Sequence, residues 1–316
     1  MQAYIAKRLL LFIPTLILVT IVVFLILRII PGDPAVALLS GNENYTQEQL
    51  AKLRAKFGTD RPLYVQYGDW VGKMARLDFG KSYLFESPVY NDLAKRLPIT
   101  LELTVMAVLL ASMVAVPLGV ISAIKQDTLP DYVARVITIA GIALPNFWVA
   151  ILMIFFLVLL FNWIPPLGYV NLWEDPLTNL QQLIFPALAL GFSNMAFIAR
   201  VTRSAMLEVF REDYIRTARS KGLTERVVIG RHALKNALLP VVTVSGYEFG
   251  RLLAGTVIIE VIFLVPGMGR LLIDAIFHRD FPVVQAIIVL IAVLVLFLNM
   301  VLDLVYAWLN PRIRYT

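Results

Sequence analysis

Two charged residues, Glu248 and Arg251, interrupt a long apolar stretch in the C-terminal third of the chain. They stand three positions apart, a spacing that places both side chains on one face of a helix. Charges within a membrane span are costly, and they usually face the interior of the helix bundle or a water-filled path. The spacing therefore predicts an inward-facing pair. Such a pair either forms an internal ion pair that fixes helix packing or contacts a polar solute.

Two asparagines stand in comparable places. Asn146 follows Pro145, which interrupts an apolar run, and Asn194 lies within another run. Breaks in membrane helices that carry polar groups often mark transport paths. A hydrogen bond between neighbouring helices is an equally ordinary use of an asparagine in a membrane. Together with Glu248 and Arg251, these two asparagines are the residues that we predict for a polar pathway.

Residues suited to catalysis or to metal binding are scarce. The chain has no cysteine, and its two histidines, His232 and His278, fall on opposite sides of the membrane in the topology derived below. Gly80-Lys81-Ser82 is similar to the end of a phosphate-binding loop, but that motif needs a glycine at position 75, which is Ala75 here. The sequence therefore predicts no catalytic residue, no metal site and no ATP site in this chain.

Membrane helices are the elements that position these residues. Hydrophobic residues make up 59% of the 316 residues and charged residues only 16%, whereas about a quarter of a soluble domain is charged. A helix needs about 20 residues to cross the hydrocarbon core, and helices satisfy their own backbone in lipid. We therefore expect an all-α membrane protein with six spans. The predicted spans are Leu9–Leu27, Leu103–Ile124, Val136–Phe161, Leu183–Ala199, Ala237–Leu264 and Phe281–Leu302.

Lysines and arginines in the short loops predict the orientation. Residues 200–236 hold nine basic residues against four acidic ones, whereas residues 162–183 hold no basic residue. Basic residues also precede the first span and follow the last. We therefore expect both termini and the 200–236 loop in the cytoplasm. Because the net charge of +6 is largely this topology signal, it gives no reason to expect a nucleic-acid partner.

The spans divide the chain into three predicted regions. Residues 1–30 form an N-terminal membrane helix, residues 31–97 an external insertion, and residues 98–316 a five-helix core that carries the cytoplasmic loop 203–236. In the insertion, Thr46 and Gln49 form a capping-box pattern, so a helix is expected to start there. Two short amphipathic helices are predicted, the first ending at Gly58; a solvated loop is the alternative. Aromatic and apolar residues predicted on one face of the second helix are Tyr64, Tyr67, Trp70, Val71 and Met74.

The cytoplasmic loop has the pattern of a rigid elbow. Met206–Lys221 favours a helix, and Gly222 can end it in the left-handed conformation, with Leu223 supplying an apolar contact. Thr224 is a candidate N-cap for a second helix, and Pro240 marks the expected start of the next span. A solvated basic loop that only sets topology is the alternative.

The motifs of this loop have a wider resemblance. ABC importer permeases carry an alanine pair, a glycine after three intervening residues and a downstream Leu-Pro; Thr217-Ala218, Gly222 and Leu239-Pro240 occupy those places. Two departures from the general pattern are the threonine in place of the first alanine and the longer spacer between Gly222 and Pro240. In both respects the loop resembles permeases of the dipeptide/oligopeptide/nickel branch. Further motifs that agree, in chain order, are Pro31-Gly-Asp-Pro34, Arg61-Pro-Leu-Tyr-Val-Gln-Tyr67, Asp78-Phe-Gly-Lys-Ser82, Glu212-Asp-Tyr-Ile-Arg-Thr-Ala-Arg219, Pro266-Gly-Met-Gly269, Arg279-Asp-Phe-Pro-Val-Val-Gln285 and Asn310-Pro-Arg312.

The chain thus resembles the first permease subunit of a dipeptide/oligopeptide importer, with the type I permease fold. The resemblance implies a multi-pass protein of the prokaryotic inner membrane, a second related permease, two cytoplasmic ATPases that bind ATP and Mg, and an extracytoplasmic solute-binding protein. It also implies that the loop couples to an ATPase. The residues expected at that contact are Arg216, Thr217, Ala218, Arg219, Ser220, Lys221, Gly222 and Leu223.

Two alternatives stay open at this point. The branch includes carriers of nickel, glutathione and oligosaccharides, so peptide cargo follows less directly than importer class. A self-contained secondary transporter or channel is the alternative from another class, and it predicts paired halves of related hydropathy. No internal repeat of that kind is visible in the sequence.

Overall fold

The computed structural model describes residues 2–29, 34–39, 46–166 and 168–309. Most of them are helical, and one isolated antiparallel bridge pairs Lys81 with Pro88. The basic residues that follow the last predicted span, the motif at 310–312 and most of the motif at 31–34 lie outside the described residues.

Five helices within the described residues are long and apolar enough to cross a membrane. Each of these helices contains the whole of one predicted span, with one exception. The helix that contains most of the predicted span Ala237–Leu264 ends two residues earlier, at Ile262. These long helices are α1 (Gln2–Ile29), α5 (Val89–Ile124), α8 (Pro176–Val209), α11 (Leu234–Ile262) and α13 (Phe281–Leu309).

The remaining predicted span, Val136–Phe161, is the third in chain order and is not one straight helix. Two helices, α6 (Leu129–Ala143) and α7 (Asn146–Phe161), meet at an angle of 107°. Leu144 between them is extended, with ψ of 128°, because a residue before proline is disfavoured in the helical region. Pro145 then serves as the N-cap of α7. The expected break at Pro145 is confirmed, and it divides the span into two helices.

The residues group into two compact units. Among the described residues, unit 1 comprises those within 2–99 and Pro266–Phe297, and unit 2 comprises those within Thr100–Val265 and 298–309. The division of the chain predicted from the sequence, with its boundaries at 30/31 and 97/98, stays a prediction. The shorter helices of unit 1 are α2 (Pro34–Leu39), α3 (Gln47–Phe57), α4 (Leu63–Met74) and α12 (Met268–Phe277).

The predicted helices of the insertion, α3 and α4, are confirmed. Thr46 Oγ1 accepts from the backbone of Gln49, and the Gln49 side chain accepts from the backbone of Thr46, which completes the capping box. Gly58 ends α3 in the left-handed region with φ of 68°. Local pattern alone therefore located this helix.

α4 packs along α1. The ring of Tyr67 meets that of Phe24 edge-on at 5.4 Å between centroids, and its hydroxyl lies 3.0 Å from Thr20 Oγ1. Trp70 stacks on Phe24 at 6.0 Å. Tyr64, predicted on the same face, is exposed instead, so the packed face of α4 begins one turn later than expected.

Asp280 joins two of the motifs that are distant in sequence. Its carboxylate accepts hydrogen bonds from the Ser82 hydroxyl and from the backbone nitrogens of Tyr83 at 3.1 Å and Leu84 at 3.4 Å. Both Ser82 and Asp280 are 2% exposed. Because a buried carboxylate must be hydrogen-bonded, this contact fixes the loop before α5 to the corner between α12 and α13.

Unit 2 is built around α8, whose backbone approaches α5 closely. A methyl group added at Gly119 of α5 would lie 2.5 Å from the carbonyl oxygen of Ala199 and 2.6 Å from Cβ of Thr202. At a second crossing, a methyl group at Gly191 of α8 would lie 2.7 Å from the carbonyl oxygen of Ala107. Small residues permit such close approach between membrane helices.

Gly119→Ala should therefore destabilise the protein. The nearest atom, the carbonyl oxygen of Ala199, belongs to the backbone of α8 and cannot move aside without distorting that helix. We expect a loss of about 1–3 kcal/mol, as for other overpacked sites, seen as a lower thermal unfolding midpoint in detergent. Gly72→Ala on α4 is the matched control, since a methyl group there meets nothing within 4 Å. Equal midpoints for the two variants would contradict the close α5–α8 packing.

Candidate functional site

The loop predicted to be cytoplasmic, residues 203–236, begins with a break between two helices. The predicted continuous helix Met206–Lys221 is wrong: α8 ends at Val209, and α9 spans Asp213–Ser220. Met206 and Ile215 are both fully buried, yet they are nine residues apart, about two and a half turns. On one straight helix they would face opposite sides. The break lets both side chains enter the same apolar cluster.

That cluster joins α5, α8, α9 and the start of α11, so we call it the elbow cluster. α9 contributes Ile215 and Ala218 as its buried residues. The π-helical segment Val228–Ala233, which follows the short helix α10 (Glu225–Val227), contributes its own two ends. The buried members of the elbow cluster are Ala123, Ala205, Met206, Ile215, Ala218, Val228, Ala233 and Ala237.

Gly222 ends α9 in the predicted manner. It adopts φ of 75°, its backbone nitrogen donates to the carbonyl of Arg219 at 2.9 Å, and that of Leu223 donates to Ala218 at 3.4 Å. These two bonds are the Schellman arrangement, which satisfies the last carbonyls of a helix. Leu223 itself is 39% exposed.

Seven of the eight residues predicted to contact an ATPase are exposed, and Ala218 faces the elbow cluster instead. Among the exposed ones, Arg219 forms two contacts with the carboxylate of Glu225, at 2.9 and 3.3 Å. The remaining six are Arg216, Thr217, Ser220, Lys221, Gly222 and Leu223. α9 thus has a buried inner face and an exposed, basic outer face.

Two further expectations for the elbow need correction. Thr224 stands at the N-cap of α10, but its side chain makes no cap hydrogen bond within the described residues. The next residue, Glu225, forms an ion pair with Arg219. Pro240 does not begin the next span, because it lies inside α11. The hydrogen bond from Asn236 Nδ2 to the Tyr214 hydroxyl, 2.7 Å long, links α11 directly to α9.

Unit 2 contains a buried carboxylate that the sequence analysis did not predict. Asp131, at the start of α6, is completely buried and receives donors from α5, α6 and α8. An ionised carboxylate only accepts hydrogen bonds and has several lone pairs, so donors from three helices can converge on it. The donors are Ser122 Oγ at 2.5 Å, the Asp127 backbone at 3.0 Å, Arg135 Nη2 at 2.5 Å, and Arg203 Nε and Nη2 at 2.9 and 3.0 Å.

The predicted pathway residues come partly together. Arg251 and Asn146 both line a cavity of 420 Å³, whose wall also includes Ser193 and Gly255. Arg251 Nη2 lies 2.9 Å from Glu248 Oε2, so the predicted ion pair forms. The contact does not have hydrogen-bond geometry, since within the described part of the chain Glu248 Oε2 has no hydrogen-bond partner.

The two charges differ in exposure. The Arg251 side chain is 64% exposed and that of Glu248 only 9%. The guanidinium therefore lies at the cavity wall, and the carboxylate lies behind it. The role of the pair in transport stays a prediction.

The two asparagines differ as well. Asn146 Nδ2 donates to the carbonyl of Leu190 at 3.2 Å, which ties the start of α7 to α8. Asn194 is completely buried and does not line the cavity. Neither atom of its amide has a hydrogen-bond partner among the described residues. Asn146 thus lines the cavity and Asn194 does not, and the role of either residue in transport stays a prediction.

Solved structures identify the fold. One of them, an amino acid ABC transporter crystallised with histidines, matches with a TM-score of 0.51 and 20% identity, covering 69% of this chain and 94% of the other. The inward-facing MetNI methionine ABC transporter matches with a TM-score of 0.55 and 18% identity, covering 69% and 96%. The chain therefore has the fold of an ABC transporter membrane subunit, as the sequence predicted.

Sequence comparison identifies the family. Residues 115–315 match the family described as binding-protein-dependent transport system inner membrane component, and residues 1–104 match its N-terminal region. The chain belongs to this family, so the predicted resemblance to ABC importer permeases is confirmed. It is a multi-pass inner membrane protein, and its family implies partner ATPase and permease subunits.

Curated relatives match over the whole length. A putative peptide transport system permease protein of Brucella abortus (strain 2308) is 41% identical and covers 100% of both chains. The di/tripeptide transport system permease protein DppB of Pseudomonas aeruginosa (strain UCBPP-PA14) is 42% identical over 100% of this chain and 99% of its own. The dipeptide transport system permease protein DppB of Escherichia coli (strain K12) is 40% identical over 100% and 99%.

Exchanging the two charges tests the role of the Glu248–Arg251 pair. If the pair braces the cavity wall, Glu248→Arg combined with Arg251→Glu should recover most of the uptake that either single change loses, because the ion pair is restored. Uptake by the assembled transporter in proteoliposomes is the measurement, with subunit amounts as the control. A swapped pair that assembles normally yet stays inactive would point to direct solute contact, and a fully active Arg251→Leu would contradict both roles.

Proposed function

We propose that this chain is the permease subunit of an ATP-driven importer for di- and oligopeptides. The observation that carries the coupling part of the proposal is α9, whose inner face is buried in the elbow cluster while its basic outer face is exposed. Relatives about 40% identical over the whole chain carry names of peptide permeases, which supports peptide cargo. This chain forms one half of the translocation pathway.

Coupling starts at the exposed face of α9, which docks into a cytoplasmic ATPase. When two ATPases close on ATP, they push α9, and the push reaches α5, α8 and α11 through the elbow cluster. Side chains in such a cluster transmit strain because protein interiors are close-packed. The Tyr214–Asn236 hydrogen bond adds a second connection from α9 to α11, the helix that carries Arg251.

The hydrogen bonds of Asp131 give this motion a firm base. They hold the cytoplasmic ends of α5, α6 and α8 together, so that movement of the elbow turns these helices as a group. The bent pair α6–α7 follows, and with it Asn146 at the cavity wall. The cavity of 420 Å³ then opens alternately to the two sides of the membrane.

Partners and orientation complete the proposal. The transporter contains a second, related permease, two ATPases that bind ATP and Mg, and an extracytoplasmic solute-binding protein that delivers cargo. Both termini and residues 203–236 are cytoplasmic, and the insertion is external. The basic excess of residues 200–236 supports this orientation. Nickel, glutathione or oligosaccharide cargo remains the alternative within this class of importer.

Substitution of Gly222 should uncouple ATP hydrolysis from uptake. The left-handed backbone disfavours any residue with a Cβ atom by about 1–2 kcal/mol, so Gly222→Ala should loosen the end of α9 without a clash, as nothing lies within 4 Å. Gly230→Ala is the matched control, because its surroundings are equally open and its φ is not positive. We expect ATP hydrolysis to continue with reduced uptake only for Gly222→Ala. Unchanged uptake at normal subunit amounts would contradict the role of the cap.

Labelling of single cysteines should test the orientation. The chain has no cysteine of its own, so Gln49→Cys in α3 and Thr224→Cys in the elbow each provide one exposed thiol. A membrane-impermeant maleimide should label Gln49→Cys from outside intact cells and Thr224→Cys only in inside-out vesicles. Labelling of both from the same side would refute the proposed topology.

A further inference from the structure

Unit 1 contains a cavity of 750 Å³ that the proposed transport cycle does not use. Its wall is built from the last turn of α1, the end of α3, α4, the loop before α5 and the start of α13. Two side chains in this wall, Arg28 and Gln285, hold buried hydrogen-bond donors without an acceptor among the described residues: Nη1 of Arg28 and Nε2 of Gln285.

Arg28 has no anionic partner within the described part of the chain. Its Nε and Nη2 atoms donate to the neutral amide oxygen of Gln66 at 3.2 and 2.9 Å. Its guanidinium also lies over the rings of Phe24 at 4.7 Å and Phe281 at 5.2 Å. These contacts orient the cation but leave its charge uncompensated. A guanidinium in this state is a ready site for a carboxylate or phosphate.

Gln285 provides the second donor. Gln285 is only 4% exposed. Its amide nitrogen is removed from bulk water and yet has nothing to donate to within the described residues. Leaving a buried polar group unsatisfied costs about 1–3 kcal/mol. An acceptor atom placed in the cavity would remove that cost and the charge imbalance at Arg28 together.

Tyr83 is a third donor on the same wall. Burial raises the pKa of its hydroxyl to about 12, an effect that Arg28 partly opposes. The hydroxyl therefore stays protonated at neutral pH and can donate. All three groups, from Arg28, Gln285 and Tyr83, thus offer protons, which suits a ligand rich in acceptor atoms.

Charges around the cavity are unbalanced in the same direction. Lys56 pairs with Glu86 at 2.7 Å, and Arg61 pairs with Asp69 at 3.1 Å. Lys73 and Lys81 also line the cavity and form no ion pair within the described residues, and Asp78 is the further acidic residue in the wall. With Arg28 included, five basic residues face three acidic ones. The wall therefore carries an excess of positive charge, as a site for an anion requires.

The cavity lies at the level where the membrane spans end. Arg28 stands in the last turn of the apolar stretch Leu10–Ile29, and Gln285 in the second turn of the stretch that starts at Phe281. The contact between Arg28 and the Phe281 ring brings these two span ends together. Ends of apolar spans lie near the headgroup region of a bilayer, where phosphate is the commonest anion.

Apolar surface continues from the cavity along α1. Leu25, Ile26 and Ile29 are exposed by 42%, 50% and 77%, and they are within one turn of Arg28. A lipid whose headgroup entered the cavity could lay its acyl chains on these side chains. The amphipathic helix α4, packed beside this end of α1, is typical of an element that lies in the interface.

We propose that this cavity binds the phosphate of an anionic phospholipid headgroup, with Arg28 and Gln285 as its donors. The bound lipid fills the space between α1, α4 and α13 and stabilises unit 1. The site is separate from the residues proposed for coupling and for the pathway.

Thermal unfolding of the full chain in a neutral detergent tests the proposal. Dioctanoyl phosphatidylglycerol is the probe, and dioctanoyl phosphatidylcholine, inorganic phosphate and dialanine are the comparison ligands. We expect phosphatidylglycerol alone to raise the unfolding midpoint in a saturable manner. A rise of equal size with inorganic phosphate would overturn the lipid, and one with dialanine only would favour a peptide site instead. No rise with any of them would also overturn the proposal.

Variants make the test specific to the cavity. Arg28→Gln should weaken phosphatidylglycerol binding by about tenfold or more, as the loss of a charged hydrogen-bond donor does. Arg76→Gln is the matched control, since Arg76 is exposed and does not line the cavity; its binding should be unchanged.

Gln285→Glu provides an independent variant should Arg28→Gln fold poorly. It places a carboxylate in the cavity, which can pair with the Arg28 cation and repel a phosphate. We expect a ligand-free unfolding midpoint at or above that of the wild type, together with loss of the response to phosphatidylglycerol. A Gln285→Glu protein that keeps the full response would overturn the assignment of the site.

Discussion

The buried carboxylate of Asp131 is the interaction on which the end of unit 2 nearest the elbow depends. A carboxylate removed from water has to be hydrogen-bonded at nearly every lone pair, or its desolvation is not offset. Here the donors come from three helices, so α5, α6 and α8 cannot separate at this end without leaving a charge unpaired. Arg203, which supplies two of these bonds, lies on the last part of α8 before the elbow. The hydrogen-bonded junction at Asp131 is therefore adjacent to the elbow, the segment proposed to move.

Unit 1 uses the same principle at a different place. Asp280 holds the loop that contains Ser82, as Asp131 holds the helix ends of unit 2. This contact accounts for the polar residues Ser82 and Asp280 in two motifs that are 198 residues apart. The Gly80-Lys81-Ser82 segment, which is similar to part of a phosphate-binding loop, thus has a structural use: its serine caps a buried carboxylate. No nucleotide chemistry is needed to account for it.

The sequence predicted those features that depend on local pattern. The capping box at Thr46, the left-handed Gly222 and the break at Pro145 each depend on the preferences of a few adjacent residues, and each is present. The Glu248–Arg251 pair was also predictable, because both residues lie on one helix. Apolar runs likewise predicted the membrane helices, whose lengths the bilayer dictates.

Features that depend on distant partners were missed. Val209 and Asp213 belong to different helices because Met206 and Ile215 fill one cluster. The acidic residue in the first turn of α9, Asp213, was the local signal for this helix start. The role of Asp131 depends on Arg203, 72 residues away, although the spacing of Asp131 and Arg135 alone was readable as a helical ion pair. Pro240 lies inside α11 because the helix starts earlier, at residues packed against α9. Tertiary contacts, rather than propensity, decided each of these cases.

Cross-linking from the outer face of α9 tests the central claim most directly, namely that this face receives the push of an ATPase. In the assembled transporter, a benzophenone attached to Ser220→Cys should capture the ATPase subunit, and the yield should change between the nucleotide-free state and the state trapped with ATP and vanadate. Thr59→Cys in the insertion, with the same label, should capture no ATPase. Absence of an ATPase adduct from Ser220→Cys, or an equal adduct from Thr59→Cys, would contradict the account.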